Sequence, residues 1–228
     1  MYNTILITSG VYHIFNKSIA GFRIFSHDSE FLRMQQIIRY YQLEKPKVRF
    51  SQYILNLKKE NHINFDNGLK ISPSGSGNLV EVIAYCIMPT HLHLILKQLK
   101  EKGISVFMNN ILNSYTRYFN VKYKRKGPLW ESRFKRVSVT TDEQLLHLTR
   151  YIHLNPVTAY LVSKPEQWTF SSYNEFLFEV IDKERICNYK QVLAINPRIY
   201  KRFVENNIEH QRELANIKEL IFDHHCTA

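Results

Sequence analysis

The sequence predicts an α+β fold: a ferredoxin-like or RRM-like antiparallel sheet with helices packed on it, plus a helical C-terminal tail. Three observations predict it. Leu79 to Met88 is a dense apolar run, and Leu92, Leu94, Ile95 and Leu96 continue in a second, with Met88-Pro89-Thr90 between them as a turn or bulge. Apolar residues recur at helical spacing after Gly103 and again after Thr141. The elements follow an order near β-α-β-β-α-β-α, which suits a sheet with helices laid on it.

The elements are justified in chain order. Val11, Tyr12, Ile14 and Phe15, then Phe22, Ile24 and Phe25 around Gly21, read as a strand, a loop and a short extended piece. His27-Asp28-Ser29 offers capping side chains to a helix carrying Phe31, Met34, Ile37, Ile38 and Tyr41, which Pro46 ends. Val48, Phe50, Gln52 and Ile54 suggest a strand, with a helix as the alternative. Asn61 to Asn78, rich in Asn, Ser, Gly and Lys, reads as a loop.

The helix after Gly103 sets Ile104, Phe107, Met108, Ile111, Leu112, Tyr115 and Phe119 on one face, and Gly127-Pro128 breaks it. Trp130 to Val139 reads as a further strand. Thr141 with Gln144 makes a capping box that opens a helix through Leu145, Leu148 and Ile152. Pro156 interrupts that helix, and Val157 to Val162 extend it past a kink. Beyond Trp168 the chain reads as helical and polar, which divides it into a unit of residues 1–177 and a helical extension of 178–228.

The 228 residues are 44% hydrophobic, which excludes wholesale disorder. No stretch approaches the roughly 20 apolar residues that cross a bilayer, so no membrane partner is expected. Met1 to Gly10 lacks the basic start of a signal peptide, and cytoplasmic residence is expected. The three cysteines, Cys86, Cys187 and Cys226, offer no CxxC spacing and no disulfide framework. Cys86, inside an apolar run, reads as a small core residue.

A net charge of +11 favours a polyanionic partner. Its distribution is more telling. Arg117, Lys122, Lys124, Arg125, Lys126, Arg133, Lys135 and Arg136 fall in one segment with a single acid, Glu131, and with Tyr118, Phe119, Tyr123, Trp130 and Phe134 interleaved. Basic groups mixed with rings suit a single strand, whose backbone and unstacked bases are both accessible. A solvated helix end with core aromatics between the charges is the plainer alternative.

His91-Leu92-His93 lies in a strand of otherwise apolar residues. Alternation puts both imidazoles on one face, roughly 7 Å apart along the strand. Two neutral imidazoles can share a divalent cation, although paired histidines on a sheet face are as common without one. On the helix after Thr141, Tyr151 and Asn155 stand four residues apart on one side, with His147 a turn earlier. A tyrosine hydroxyl is a poor nucleophile unaided. Beside a cation-bound phosphate its ionised form is stabilised, and Asn155 could add an oxygen ligand.

His91-Leu92-His93 after Met88-Pro89 resembles the His-hydrophobic-His motif of the single-tyrosine insertion-sequence transposases, and most closely the REP-associated branch. Further stretches fit in the same order: Tyr12-His13-Ile14-Phe15-Asn16, Tyr115-Thr116-Arg117-Tyr118-Phe119-Asn120, Gly127-Pro128-Leu129-Trp130, Tyr151-Ile152-His153-Leu154-Asn155-Pro156-Val157 and Trp168-Thr169-Phe170-Ser171-Ser172-Tyr173.

The resemblance implies an RRM-like fold and cleavage of single-stranded DNA beside a foldback hairpin. It implies that Tyr151 becomes linked to the 5′ phosphate and releases a 3′ hydroxyl, and that another strand's 3′ hydroxyl reverses the step. His91 and His93 would hold Mg²⁺ or Mn²⁺, with Asn155 in the place of a third ligand. Family members occur as monomers and as homodimers that exchange the tyrosine between subunits. The sequence departs from the family at Thr90, where Asn or Glu is common, and at Lys17, where Arg is usual. The alternatives are a domesticated binding protein of the same fold, an RNA-binding RRM-like module, and a metallohydrolase with a bound water. The RNA-binding module needs an aromatic-rich strand motif that is not evident, and the metallohydrolase needs a carboxylate base that nothing beside the histidines supplies.

Overall fold

The two apolar runs form the strands expected of them. A computed structural model describes residues 5–59, 77–178 and 185–223, with side chains to 215. Most of the loop expected at Asn61 to Asn78, and Cys226, lie outside the described residues. Strands β2 (Val80–Met88) and β3 (His91–Gln98) pair antiparallel, from Val80 opposite Gln98 to Met88 opposite His91. β1 (Val11–Lys17) adds to the far side of β3, and β4 (Lys135–Val139) adds to β1. The order β2-β3-β1-β4, antiparallel throughout, is the ferredoxin-like arrangement the sequence predicts.

Every position of β2 is buried although it borders the sheet. A strand edge with free N–H and C=O groups needs cover, and a later segment supplies it. Ile87 N–H donates to Phe170 O at 3.0 Å, Ser172 N–H to Tyr85 O at 2.9 Å, and Asn188 N–H to Val82 O at 2.8 Å. Cys86, as expected, is a fully buried core residue.

Seven helices complete the described residues: α1 (Asp28–Tyr41), α2 (Phe50–Lys59), α3 (Gly103–Lys122), α4 (Asp142–Thr158), α5 (Tyr173–Leu177), α6 (Pro197–Glu205) and α7 (Ile208–Asp223). α3 packs on β2 and β3, α1 packs on α3, and α4 lies against β2. Alternation sends Tyr12, Ile14, Leu92, Leu94 and Leu96 into the core and turns His13, Phe15, His91 and His93 to the other face.

Three details differ from the sequence reading. The segment read first as a strand from Val48 is helix α2, because Phe50 and Ile54, four apart, are its buried pair while Ser51, Gln52 and Leu55 face out. The strand read from Trp130 begins only at Lys135. Trp130 itself bridges Ser18, and Asn16 Nδ2 binds the carbonyls of Ser132 and Arg133 at 3.0 and 2.9 Å, holding that stretch out of the ladder. The short piece from Phe22 to Phe25 stays outside the sheet, the N–H groups of Ile24 and Phe25 both donating to Pro89 O. Pro156 does not break α4, which ends two residues later at Thr158, where the missing N–H removes only one bond of the last turn.

Gly103 opens α3 against a fixed backbone. Leu79 O accepts from Leu99 and Lys100, and a Cβ on Gly103 would lie 2.3 Å from that oxygen. Gly103→Ala is therefore expected to cost about 2 kcal/mol, read as a lower urea midpoint at unchanged slope.

Candidate functional site

Cross-strand register builds the site on the sheet face away from α3. Phe15 stands opposite His93 and Lys17 opposite His91, so the two histidines share a face with His13, Phe15 and Lys17. The rings of His91 and His93 are 5.0 Å apart and nearly perpendicular. His93 is 8% exposed and stacks on His13 at 5.2 Å. His93 Nδ1 meets His13 Nε2 at 3.0 Å, and His91 Nδ1 meets Thr90 Oγ1 at 2.9 Å. Burial pushes His13 down to about 4; burial, helped by the Lys17 charge, does the same to His91. His93 lies well below its ordinary value for the same reason, with its two histidine neighbours and Lys17 adding to it. All three rings are thus neutral near pH 7 and keep a lone pair.

α4 carries the tyrosine. Thr141 Oγ1 accepts from Gln144 N–H at 3.1 Å, the expected cap, while Gln144 Oε1 reaches back one residue further, to Thr140 N–H at 3.0 Å. Leu145 and Ile152 bury the helix, and Tyr151 turns toward the histidines of its own chain. Its ring meets His93 edge-on at 6.0 Å and His13 at 6.5 Å. Partial burial raises its hydroxyl pKa, so the resting group is a protonated phenol.

Asn155, one turn on, is 8% exposed, and its Nδ2 is buried without a hydrogen-bond partner. His147 does not join them: its ring packs edge-on against Phe203 of α6 at 5.5 Å. Successive i+4 positions drift around the helix, which separates His147 from Asn155.

Among the described residues, no three or more His, Cys, Asp and Glu side chains are arranged to hold a metal ion. A divalent ion would therefore need oxygen ligands besides the two histidines. The donors fit that role. Both Nδ1 atoms are occupied by neighbours, which is how ligating histidines are commonly oriented, and neither Nε2 atom has a hydrogen bond among the described residues. The orphaned atom of Asn155 is the Nδ2 donor, which a cation does not satisfy, so Asn155 could ligate only through Oδ1.

The eight basic residues do not form one patch. Arg117 and Lys122 line an open cleft of about 990 Å³ with Arg33, Lys47 and Arg49. Lys124 and Arg125 line a second with Arg23 and Phe22, and Arg133 and Arg136 a third with Lys102 and Trp130. None of these clefts contains the histidines or Tyr151. Lys126 is exposed at the turn after α3. Lys135 pairs with Phe15 in register and so lies on the histidine face.

Lys122 and Arg125 have structural duties. Lys122 Nζ binds Glu30 Oε1 at 2.7 Å, and the Glu30 side chain is fully buried. Burial alone would raise Glu30, but Lys122, Tyr123 and the N–H groups of Ser26 and His27 hold it below the ordinary carboxyl value. Arg125 binds Asn120 Oδ1 and Pro128 O.

Sequence reasoning missed two groups. His13 and Lys17 sit at strand spacing on β1, and only the pairing with β3 shows that they face His93 and His91. The tail also reaches the site's helix: Gln211 Nε2 donates to Tyr151 O at 3.1 Å and Arg212 to Val157 O at 3.3 Å.

Residues 70–155 match the family described as Transposase IS200 like, a span that includes His91, His93, Tyr151 and Asn155. A Haemophilus influenzae protein described as a REP-associated tyrosine transposase is 30% identical over 106 residues, 41% of this chain and 59% of that one. This chain thus covers less than two thirds of that relative's length. A solved structure of a REP-associated tyrosine transposase bound to a REP hairpin is similar at a TM-score of 0.49 and 15% identity, over 83% of this chain and 92% of that one, a likeness too distant to carry weight. Through the segment that holds both histidines and the tyrosine, the chain is thus similar to the IS200-like transposases.

Proposed function

We propose that this protein is a transposase that cleaves and rejoins single-stranded DNA beside a hairpin through a covalent 5′-phosphotyrosine at Tyr151. The observation that carries the reading is the Tyr151 ring standing 6.0 Å from His93 on a face with two further neutral histidines. Tyr151 Oη attacks the phosphorus, the P–O3′ bond breaks, and the departing oxygen takes a proton to become the 3′ hydroxyl. The phenol proton goes to solvent. In the reverse direction a 3′ hydroxyl of another strand attacks and Tyr151 takes a proton back, so no nucleotide triphosphate is consumed.

His91 and His93, through Nε2, and Asn155, through its amide oxygen, would hold Mg²⁺ or Mn²⁺. The ion would polarise the phosphate and lower the pKa of the attacking phenol. Lys17 and Lys135 flank the same face and would neutralise the phosphates on either side. The remaining basic residues, Arg117, Lys124, Lys126, Arg133 and Arg136 first among them, lie off that face, where the hairpin would run. Tyr151 meets the histidines of its own chain, so the proposed cleavage needs no second subunit. Among the described residues no helix is long and apolar enough to cross a membrane, and a DNA substrate would place the reaction in the cytoplasm.

The test is a hairpin oligonucleotide carrying a single-stranded flank and a 3′ label, incubated with the protein. A denaturant-resistant protein–DNA adduct is expected with Mg²⁺ or Mn²⁺ and none with chelator. Hairpin binding with no adduct under any metal would replace the transposase reading with that of a binding protein.

A further inference from the structure

We infer that His13 is a positioning residue for His93: it accepts the Nδ1 proton of that ring and so leaves the Nε2 lone pair open toward the reaction site. The segment matched to the transposase family begins at residue 70, and His13 lies far outside it, on β1. The β1–β3 register puts it diagonal to His93 on the same face. The contact is 3.0 Å from His13 Nε2 to His93 Nδ1, between rings stacked at 18°.

Two neutral rings share one proton across this contact, and its position decides what His93 can do. With the proton on His93 Nδ1, its Nε2 is an acceptor or ligand. With the proton on His13 Nε2, His93 must carry its own on Nε2, and that atom is closed to a cation. His91 shows which arrangement the site repeats. Its Nδ1 also meets a group able to accept, Thr90 Oγ1 at 2.9 Å. Both histidines are thus tied at Nδ1 by a neighbour, one by a hydroxyl and one by a ring. Phe15, 6.0 Å from His93 and nearly parallel to it, helps fix the ring plane, and the His13 ring also meets Tyr151 edge-on. Orienting partners of this kind typically change metal affinity by roughly 10–100-fold when removed.

The inference rests on the proposed function only for the use made of Nε2. Its test therefore has a metal-free arm. Long-range ¹H–¹⁵N correlation spectra of the metal-free protein report which nitrogen of His93 carries the proton, and Mn²⁺ titration followed calorimetrically reports the affinity. Wild type should show His93 protonated on Nδ1. His13→Leu should move that proton to Nε2 and weaken Mn²⁺ roughly 10–100-fold. His13→Gln, whose side-chain oxygen lies near the place of Nε2, should keep the Nδ1 proton and restore affinity to within about threefold. A wild-type His93 protonated on Nε2, or a His13→Leu protein with unchanged tautomer, overturns the inference. Absence of Mn²⁺ binding in wild type overturns the metal reading instead, and the spectra then decide the role of His13 by themselves.

Discussion

Tyr151→Phe is expected to abolish the proposed covalent adduct, by about 10³-fold or more, while hairpin affinity stays within about twofold of wild type. The hydroxyl is the only group removed, and no hydrogen bond holds it among the described residues. The Phe ring keeps the edge contacts with His93 and His13. The residue is 38% exposed, so its loss of polarity should change stability by less than about 0.5 kcal/mol. A fall in adduct with binding and folding preserved identifies a group that acts only in the chemical step. Labelled-strand gels under denaturing conditions and fluorescence anisotropy give the two readouts. An adduct persisting at wild-type level in Tyr151→Phe would move the nucleophile elsewhere.

The largest effect on stability is expected from His153→Leu, at about 3 kcal/mol. His153 follows Tyr151 by two positions, on the buried side of α4, and is 0% exposed. Its Nδ1 accepts from Tyr200 Oη at 2.7 Å, and its Nε2 donates to Ser172 Oγ at 2.8 Å. Ser172 Oγ also accepts from Tyr85 N–H at 2.9 Å and donates to Tyr85 O. One ring therefore ties α4 to α6 and to the segment that covers the edge of β2. Leucine fills similar space but strands the hydroxyl of Tyr200 and one site on Ser172.

Burial pushes the His153 pKa down to about 3, which makes the network sensitive to acid. The unfolded chain takes up a proton near pH 6.5, and the folded chain does so only near 3. Stability is therefore full above pH 6.5 and is lost progressively as pH falls, at up to about 1.4 kcal/mol per pH unit for this group. Urea titrations at pH 7, 6 and 5 should show a shallower decline for His153→Leu than for wild type. Equal slopes would show that the ring titrates as freely folded as unfolded.

The parts of this fold that were legible in the sequence are those set by local period. The apolar runs around Pro89 and the stripe of Ile104, Phe107, Met108 and Ile111 fold as their spacing dictates, and the connectivity follows from their order. Val48 to Leu57 was read first as a strand because alternating and four-residue patterns coincide over a stretch so short, and only the burial of Phe50 with Ile54 separates them.

At the candidate site, the His91–His93 pair and Tyr151 were visible as motifs, since each pattern sits within a few residues. His13 stood in a family-like stretch, but its contact with His93 was not visible, because that partner is 80 positions away and is set by strand register. The pairing within the basic segment was hidden for the same reason: Lys122 is matched to Glu30, 92 residues earlier in the chain. His147 shares a nominal helix face with Tyr151, but the docking of α6 turns it to Phe203.

The most direct measurement of the central claim is mass spectrometric mapping of the wild-type adduct after protease and nuclease digestion. A peptide bearing Tyr151 linked to a nucleotide 5′ phosphate, formed only with divalent metal and accompanied by a released strand ending in a 3′ hydroxyl, is the predicted result. A nucleotide on any other residue, or cleavage that leaves the protein unmodified, would contradict it.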